Sequence, residues 1–454
     1  MTGGAAARDD RGVDRRRSAA GHPHPHDPEA SPAIPAHAPT PTSTPATTRT
    51  PPAVLALALG AFGIGTTEFV AMGLLPDVAA AFAVSVPAAG WTVTAYALGV
   101  VVGAPTITAL THAVPRKQLL VALMVLFVLA HVATALAPGF GALLGARFAS
   151  GLAHGAFFGA AAVVARALAP AGRQGRALAL VFTGLTVANV VGVPAGTWVG
   201  QQLGWRTTFA LVGVVGLATI AALLALVPPV QVRSGGLRAE LAAFRRTQVW
   251  LTLLVTVVGF GSTFTVLSYV APLLTDVAGF AAGSVAWVLV LFGLGATAGN
   301  LLGGRLADWS VPRTLALGLS ASSVVFVLLF ALAQHPAAAA AGVFAFAFTG
   351  FSMSSAIQTR AIVAAGGGAS MASAAIQAAF NTGNALGAFL GGVVIGAGFG
   401  YAAPALVAAA LAAAGLAVLA WATRWDRTGR APVDPAVAPV PAQRRRRVVE
   451  GAGA

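Results

Sequence analysis

The chain has 454 residues, 57% of them hydrophobic and only 9% charged, with a mean hydropathy of +0.82; that is too little polar surface to cover a water-soluble globule of this size, and the composition is that of a membrane protein. The net charge of +14 comes from 27 Lys and Arg against 13 Asp and Glu, but the basic residues fall in short clusters between apolar runs, which argues against nucleic-acid binding. With no cysteine, disulfides, thiolate metal sites and thiol catalysis are excluded.

Residues 1–52 are rich in Pro, Ala, Thr and Arg without an apolar period and are expected to form a disordered cytoplasmic tail. They lack the charged-then-apolar pattern of a cleaved signal, so the first span is expected to direct insertion itself. His22, His24 and His26 lie close together in GHPHPHD, but Pro-rich low complexity accounts for them, and no metal or cofactor is assigned. Twelve apolar runs follow, each long enough to cross a bilayer as a helix. They are expected near 53–76, 88–110, 119–137, 141–163, 176–199, 207–228, 249–272, 284–304, 314–333, 337–358, 372–396 and 402–422. The fold class is therefore an all-α membrane protein. Its expected parts are a six-helix half at 53–229, a cytoplasmic central loop at 230–248, a second six-helix half at 249–423 and a basic cytoplasmic tail at 424–454, which includes RRRR at 444–447.

Basic residues set the expected orientation. With both termini inside, the inward-facing segments hold Arg116, Lys117, Arg166, Arg173, Arg176, Arg233, Arg238, Arg245, Arg246, Arg305, Arg313 and Arg360, and the outward-facing ones hold only Arg206. Basic residues resist translocation, so this bias implies cytoplasmic termini in a cell membrane.

The halves repeat. At an offset of 196, Gly99 and Gly103 fall on Gly295 and Gly299, and His112 and Lys117 on Asp308 and Arg313. At 195, Asn189, Gly192 and Gly196 fall on Asn384, Gly387 and Gly391, and at 199, LLPDVA (74–79) falls on LLTDVA (273–278). A six-plus-six parallel repeat is a transporter architecture, with substrate held between the halves near mid-membrane.

Several stretches carry a family likeness: GTTEFVAMGLLP (65–76), YALGVVVGAP (96–105), RFASGLAHGAFFG (147–159), GVPAGTWVGQQLGWR (192–206), GGRLADWSVPR (303–313) and NTGNALGAFLGG (381–392). Together, over residues 53 to 423, they resemble the major facilitator superfamily, and within it the twelve-span drug:proton antiporters of the arabinose-efflux-permease-like and chloramphenicol-efflux-like branches. The resemblance implies the major facilitator fold and a monomer. GGRLADWSVPR resembles the family's loop motif, which implies that Asp308 pairs with Arg313 or a neighbouring span to gate the inside face; a solvated charge pair is the plainer alternative. The first-half copy departs from the motif, with His112 in place of the acid and Pro115 in place of a glycine. GVPAGTWVG resembles the antiporter signature of the fifth span. Gly192, Gly196 and Gly200 share one helix face and allow a close neighbour, and Pro194 removes a backbone hydrogen bond and permits a bend. Close packing alone would explain the same spacing.

One acid stands out. Glu68 is the only acidic residue deep in an expected span, where a carboxylate costs a few kcal/mol and normally faces the bundle interior or a water-filled path. Arg147 is the only deep Lys or Arg, at a depth that matches Glu68 within roughly 3 to 5 Å at 1.5 Å per residue, so the two are placed to pair. His154, seven residues on, shares the face of Arg147. RFASGLAHGAFFG resembles the family's fourth-span motif, whose arginine is implicated in proton transfer. Glu68, Arg147 and His154 are thus expected to form a proton-coupling set, with a permanent structural pair as the alternative. By the LLPDVA match the second-half counterpart of Glu68 is Leu267, and the deep polar residues there are neutral: Asn300, Gln358, Gln377, Asn381 and Asn384. Asn300, Gln358, Asn381 and Asn384 are candidate substrate ligands, with interhelical hydrogen bonding as the equal alternative for Asn381 and Asn384. Phe264, Phe348 and Phe380 read first as lipid-facing or core-packing residues, with cavity wall as the alternative.

The expected function is proton-coupled export of a small organic molecule, drug-, sugar- or nucleoside-like, by alternating access. Proton-coupled uptake differs from it only in the direction of flux, and a non-transporting receptor has no evident need of a deep acid. No phosphate-binding loop and no catalytic cluster are present, so neither ATP nor an enzymatic activity is expected.

Overall fold

The computed structural model describes residues 52–111, 113–170, 173–229, 243–365 and 369–427, and the side chains of the last segment from 374 onward. His22, His24, His26, His112, Arg233, Arg238 and the 444–447 cluster lie outside them. The described residues contain twelve helices long and apolar enough to cross a membrane. In the first half these are α1 (Pro52–Gly73), α2 (Val86–Leu110), α3 (Arg116–Ala135), α4 (Phe140–Leu168), α5 (Gln174–Leu203) and α6 (Trp205–Leu226). In the second they are α7 (Thr247–Leu267), α8 (Ala282–Trp309), α9 (Val311–Leu332), α10 (Pro336–Ala365), α11 (Ala374–Phe399) and α12 (Pro404–Arg427).

Local chemistry sets the ends. Proline opens α1, α10 and α12, where its missing N–H and fixed φ cost nothing. Ser85 caps α2, its hydroxyl accepting from the Ala88 N–H at 3.2 Å. Gly204, at φ +89°, turns the chain from α5 directly into α6. Within α5 a π-turn at Ala188–Gly192 precedes Pro194, which absorbs the helical bond that proline cannot make.

The sequence repeat reappears as a repeat of contacts. Gly99 and Gly103 of α2 pack against the backbone carbonyls of Phe148 and Leu152 on α4, and Gly295 and Gly299 of α8 pack against those of Phe344 and Phe348 on α10. Both members of each contact are shifted by the same 196 positions. Likewise Gly192 and Gly196 of α5 pack on Thr66 and Val70 of α1, while Gly387 and Gly391 of α11 pack on Thr265 of α7 and on Tyr269 just beyond its end. Here the partners are shifted by 199, the offset of the LLPDVA match. Each half therefore holds itself together by equivalent close approaches at glycine: onto backbone for Gly99, Gly103, Gly295, Gly299, Gly387 and Gly391, and onto side chains for Gly192 and Gly196.

The halves meet along α2 with α11 and α5 with α8. The rings of Trp91 and Phe389 lie 5.9 Å apart, the Asn189 carbonyl abuts Gly293, and Gln201 Nε2 donates to Ala282 O at 3.0 Å.

Several expected boundaries shift by a turn or so, the end of the tenth span most, from 358 to Ala365, and two shifts have a clear local cause. The first span ends at Gly73 and not near 76, because Pro76 starts a separate short helix, Leu75–Ala81. The last span runs to Arg427, beyond the expected limit of 422, because its charged final turn is anchored: Asp426 pairs with Arg360 of α10 at 2.9 Å and accepts from Gln248 of α7 at 3.2 Å.

Candidate functional site

A cavity of about 460 Å³ lies between the halves. Its wall runs from Glu68 and His154 to Gly175 and Leu178 at the start of α5, and to Gln358 and Thr359 near the end of α10. Those helix ends carry Arg173 and Arg360, so the lining of the cavity extends to the basic face of the protein. At its other end Phe69 closes it, with ring centroids 5.8 Å from Phe264, 5.9 Å from Phe292 and 6.4 Å from Phe351.

Asn300, Gln358, Asn381 and Asn384 all line this cavity, as does Gln377. They come from three helices, so their convergence is a product of the fold. Phe264 and Phe380, read from sequence as packing residues, are cavity wall; Phe348 is not, and stacks on Phe344 at 6.2 Å. Phe260 meets Phe380 edge-on at 4.6 Å and completes an aromatic wall. An amide-lined space with aromatic walls suits an amphipathic guest.

Glu68 is buried on α1 and lines the cavity. Its Oε1 accepts a hydrogen bond from Asn384 Nδ2 of α11 at 3.2 Å. The expected direct pair with Arg147 is not formed: the ion pair found among the described residues is Arg360–Asp426. Arg147 turns instead to the neighbouring residue on α1. Its Nη1 donates to Thr67 Oγ1 at 2.9 Å and its Nη2 to the Thr67 carbonyl at 3.1 Å. The guanidinium also lies over the rings of Tyr96 at 4.5 Å and Phe209 at 5.2 Å, a cation–π arrangement that partly replaces the water it has lost. Glu68 remains within electrostatic range of Arg147 without touching it.

Two groups missed from sequence organise this cluster. His131 of α3 is fully buried, with Nδ1 2.7 Å from Phe127 O and Nε2 2.8 Å from Thr67 Oγ1. A carbonyl only accepts, so in the neutral ring Nδ1 carries the proton and Nε2 receives one from the Thr67 hydroxyl. That hydroxyl keeps its lone pairs for Arg147. Tyr96 of α2 bridges the other side, its hydroxyl 3.0 Å from His154 Nδ1 and its ring beneath Arg147. Arg147 and His154 are thus linked through Tyr96. The signals were present: His131 sits in an expected span as Glu68 does, and Tyr96 is one of three tyrosines and opens the YALGVVVGAP stretch.

Gly192 and Gly196 lie where the spacing put them, against α1 on the turns around Glu68, and Pro194 is buried beside them. Asp308 and Arg313 do not pair here: both are exposed, and Arg313 lies 5.0 Å over the ring of Trp309.

Residues 57–366 match the family model described as Major Facilitator Superfamily. The chain is 41% identical to the inner membrane transport protein YdhP of Escherichia coli over 372 residues, covering 81% of this chain and 94% of that protein. It is 35% identical over 377 residues to the putative transporter AraJ of Escherichia coli (82% and 95% covered). It is also 36% identical over 383 residues to a chloramphenicol resistance protein of Streptomyces lividans (83% and 97%). Among solved structures, a bacterial homologue of the lysosomal transporter Spinster, in an inward-facing and occupied conformation, superposes with a TM-score of 0.66 at 18% identity, covering 82% of this chain and 96% of that one, a likeness of fold.

Proposed function

Because the chain belongs to the Major Facilitator Superfamily, we propose that it is a proton-coupled exporter, which moves a small organic molecule out of the cytoplasm by alternating access. The observation that carries this reading is the position of Glu68, the only acid among the described residues on the wall of the cavity. A carboxyl group there meets both a proton and a guest in the same space, so that loading one can displace the other. The kinship with a chloramphenicol resistance protein supports outward flux.

In this reading both termini are cytoplasmic and the basic face is the inner one, so the cavity is inward-open. The moving bodies are the helical halves at 53–229 and 249–423. Glu68 carries the proton. Arg147 and His154, joined through Tyr96, set the field around it, while Asn300, Gln358 and Asn381 hold polar groups of the guest against the aromatic wall. Gly192, Pro194 and Gly196 let α5 bend against α1, and Asp308 and Arg313, apart while the inner face is open, come together as it closes. The protein works as a monomer in the cell membrane without a cofactor.

The test uses inside-out vesicles with an acidified lumen and a pH-sensitive dye. Neutral and cationic amphipathic compounds are added to wild type and to Glu68→Gln. Compound-dependent proton release by wild type and none by the variant is expected; equal release by both would remove Glu68 from coupling, and net alkalinisation inverted in sign would make the carrier an uptake system.

A further inference from the structure

We propose that Asn384 is a proton-selective latch: it holds the second half to Glu68 with two bonds when Glu68 is protonated, and with a single bond opposed by a repulsion when Glu68 is ionised. The proposal rests on the exporter reading above and assigns Asn384 to coupling instead of to guest binding.

Asn384 is 3% exposed and Glu68 8%. Asn384 Nδ2 donates to Glu68 Oε1 at 3.2 Å, across the boundary between the halves. Its own Oδ1 is buried and has no partner. A buried carbonyl oxygen left unpaired is costly, and the carboxyl that the same amide already contacts through Nδ2 is a group able to satisfy it when protonated. A neutral Glu68 has one acceptor oxygen and one O–H donor, so it can take the Nδ2–H and return its own proton to Oδ1, closing an acid–amide pair with two bonds. An ionised Glu68 has acceptors only. It keeps the first bond, but sets its second oxygen against the lone pairs of Oδ1. The amide side chain therefore distinguishes the two protonation states by one bond gained or one repulsion.

Asymmetry supports a switching role. Asn384 repeats Asn189 at the offset of 195, but the counterpart of Glu68 is Leu267, so no second copy of this contact exists. Other charged or titratable groups around Glu68 come from its own half: Arg147 and His154 on α4, Tyr96 on α2, and His131 on α3 through Thr67. On the second-half wall of the cavity the side chains are amides, hydroxyls and hydrocarbons. The second half thus senses the proton through Asn384.

The contact exists with the cavity open to the basic face, so protonation holds the carrier inward-open until a guest competes for the carboxyl. That order of events makes proton release depend on the guest. One buried hydrogen bond changes such a population ratio by roughly five- to tenfold.

The chain has no native cysteine, so spin labels can be placed at will. We place Gln118→Cys at the start of α3 and Arg424→Cys at the end of α12, both exposed on the basic face, one in each half, and measure their distance by pulsed electron resonance in nanodiscs between pH 8 and pH 5. Wild type should shift to the long distance on acidification. Asn384→Leu should lose that shift. Glu68→Gln presents an amide that can close the same two bonds, so it should hold the long distance at every pH, and adding Asn384→Leu to it should release it. The exchanged pair Glu68→Gln with Asn384→Asp should regain the pH shift, which excludes misfolding as the cause of loss. A wild-type shift retained in Asn384→Leu would overturn the latch, while compound-driven proton release in vesicles left the exporter standing. Absence of both the shift and the release in wild type would overturn the two readings together.

Discussion

Thr67→Val tests the reading of the buried cluster most directly, because valine keeps the shape of threonine and removes only the hydroxyl. That hydroxyl donates to His131 Nε2 at 2.8 Å and accepts from Arg147 Nη1 at 2.9 Å. The first bond joins α1 to α3, and interhelical bonds between neutral side chains in a bilayer average about 0.6 kcal/mol. The second is charge-assisted, worth about 1.5–3 kcal/mol, and its loss strands a guanidinium N–H beside an Arg147 Nε that already lacks a partner. Together the expected destabilisation is about 2–4 kcal/mol. Thr134→Val is the control: Thr134 is equally buried, but its hydroxyl only backs onto the Ala130 carbonyl of its own helix at 2.8 Å, which the helix already satisfies, so the cost should stay under about 0.5 kcal/mol. Reversible unfolding in mixed micelles, followed by circular dichroism, measures both. If Thr67→Val lay within 0.5 kcal/mol of Thr134→Val, as roughly the scatter of such measurements, Thr67 would not be the centre of the cluster and the hydrogen-bond directions derived from His131 would be wrong.

Other outcomes follow from single contacts. Gly99→Ala places a methyl group on the Phe148 carbonyl and should lower folded yield sharply, whereas Gly145→Ala meets nothing within 4 Å and should be neutral or gain roughly 0.5–1 kcal/mol in helix propensity. Tyr96→Phe keeps the ring beneath Arg147 and loses the bond to His154; thermal stability should stay near wild type while the pH profile of transport moves, and Tyr96→Leu should lose both. Asn300→Ala and Gln358→Ala should raise the apparent KM of transport several-fold with little change in maximal rate, read from vesicle uptake at graded compound concentrations. Burial pushes the Asp77 carboxyl up, partly offset by a hydrogen bond from its own backbone. A carboxyl raised by folding is destabilising when ionised, so Asp77→Asn should increase the melting temperature at pH 8 and cease to do so in acid, below the carboxylate range.

Much of the architecture was legible because it repeats along one dimension. Span number needs only apolar length, and the contacts of Gly99 and Gly295 could be anticipated from an offset in the chain. The partner of Glu68 could not. Position along a helix gives depth in the membrane, and depth put Glu68 level with Arg147, but the lateral direction of each side chain depends on how α1 is rotated. One residue of rotation decided the matter: Thr67 faces Arg147 and Glu68 faces Asn384. The amides of the cavity were legible as deep polar residues in an apolar half. Phe264 and Phe380 were not, since a phenylalanine in a membrane helix has the same sequence signal whether it meets lipid, core or cavity.

Glu68 and Phe69 are consecutive, and that adjacency ties chemistry to mechanics without any intermediary. The aromatic plug at one end of the cavity is the next residue after the proposed proton carrier, so α1 cannot turn one without displacing the other. Withdrawing a phenylalanine from its nest exposes apolar surface worth about 1.5–3 kcal/mol. Moving one elementary charge through a membrane potential of 100 mV yields about 2.3 kcal/mol. The two quantities are matched in size, so in the proposed proton-coupled cycle one proton per stroke would suffice to move the plug: a larger plug would stall under an ordinary membrane potential, and a smaller one would let the sealed end leak.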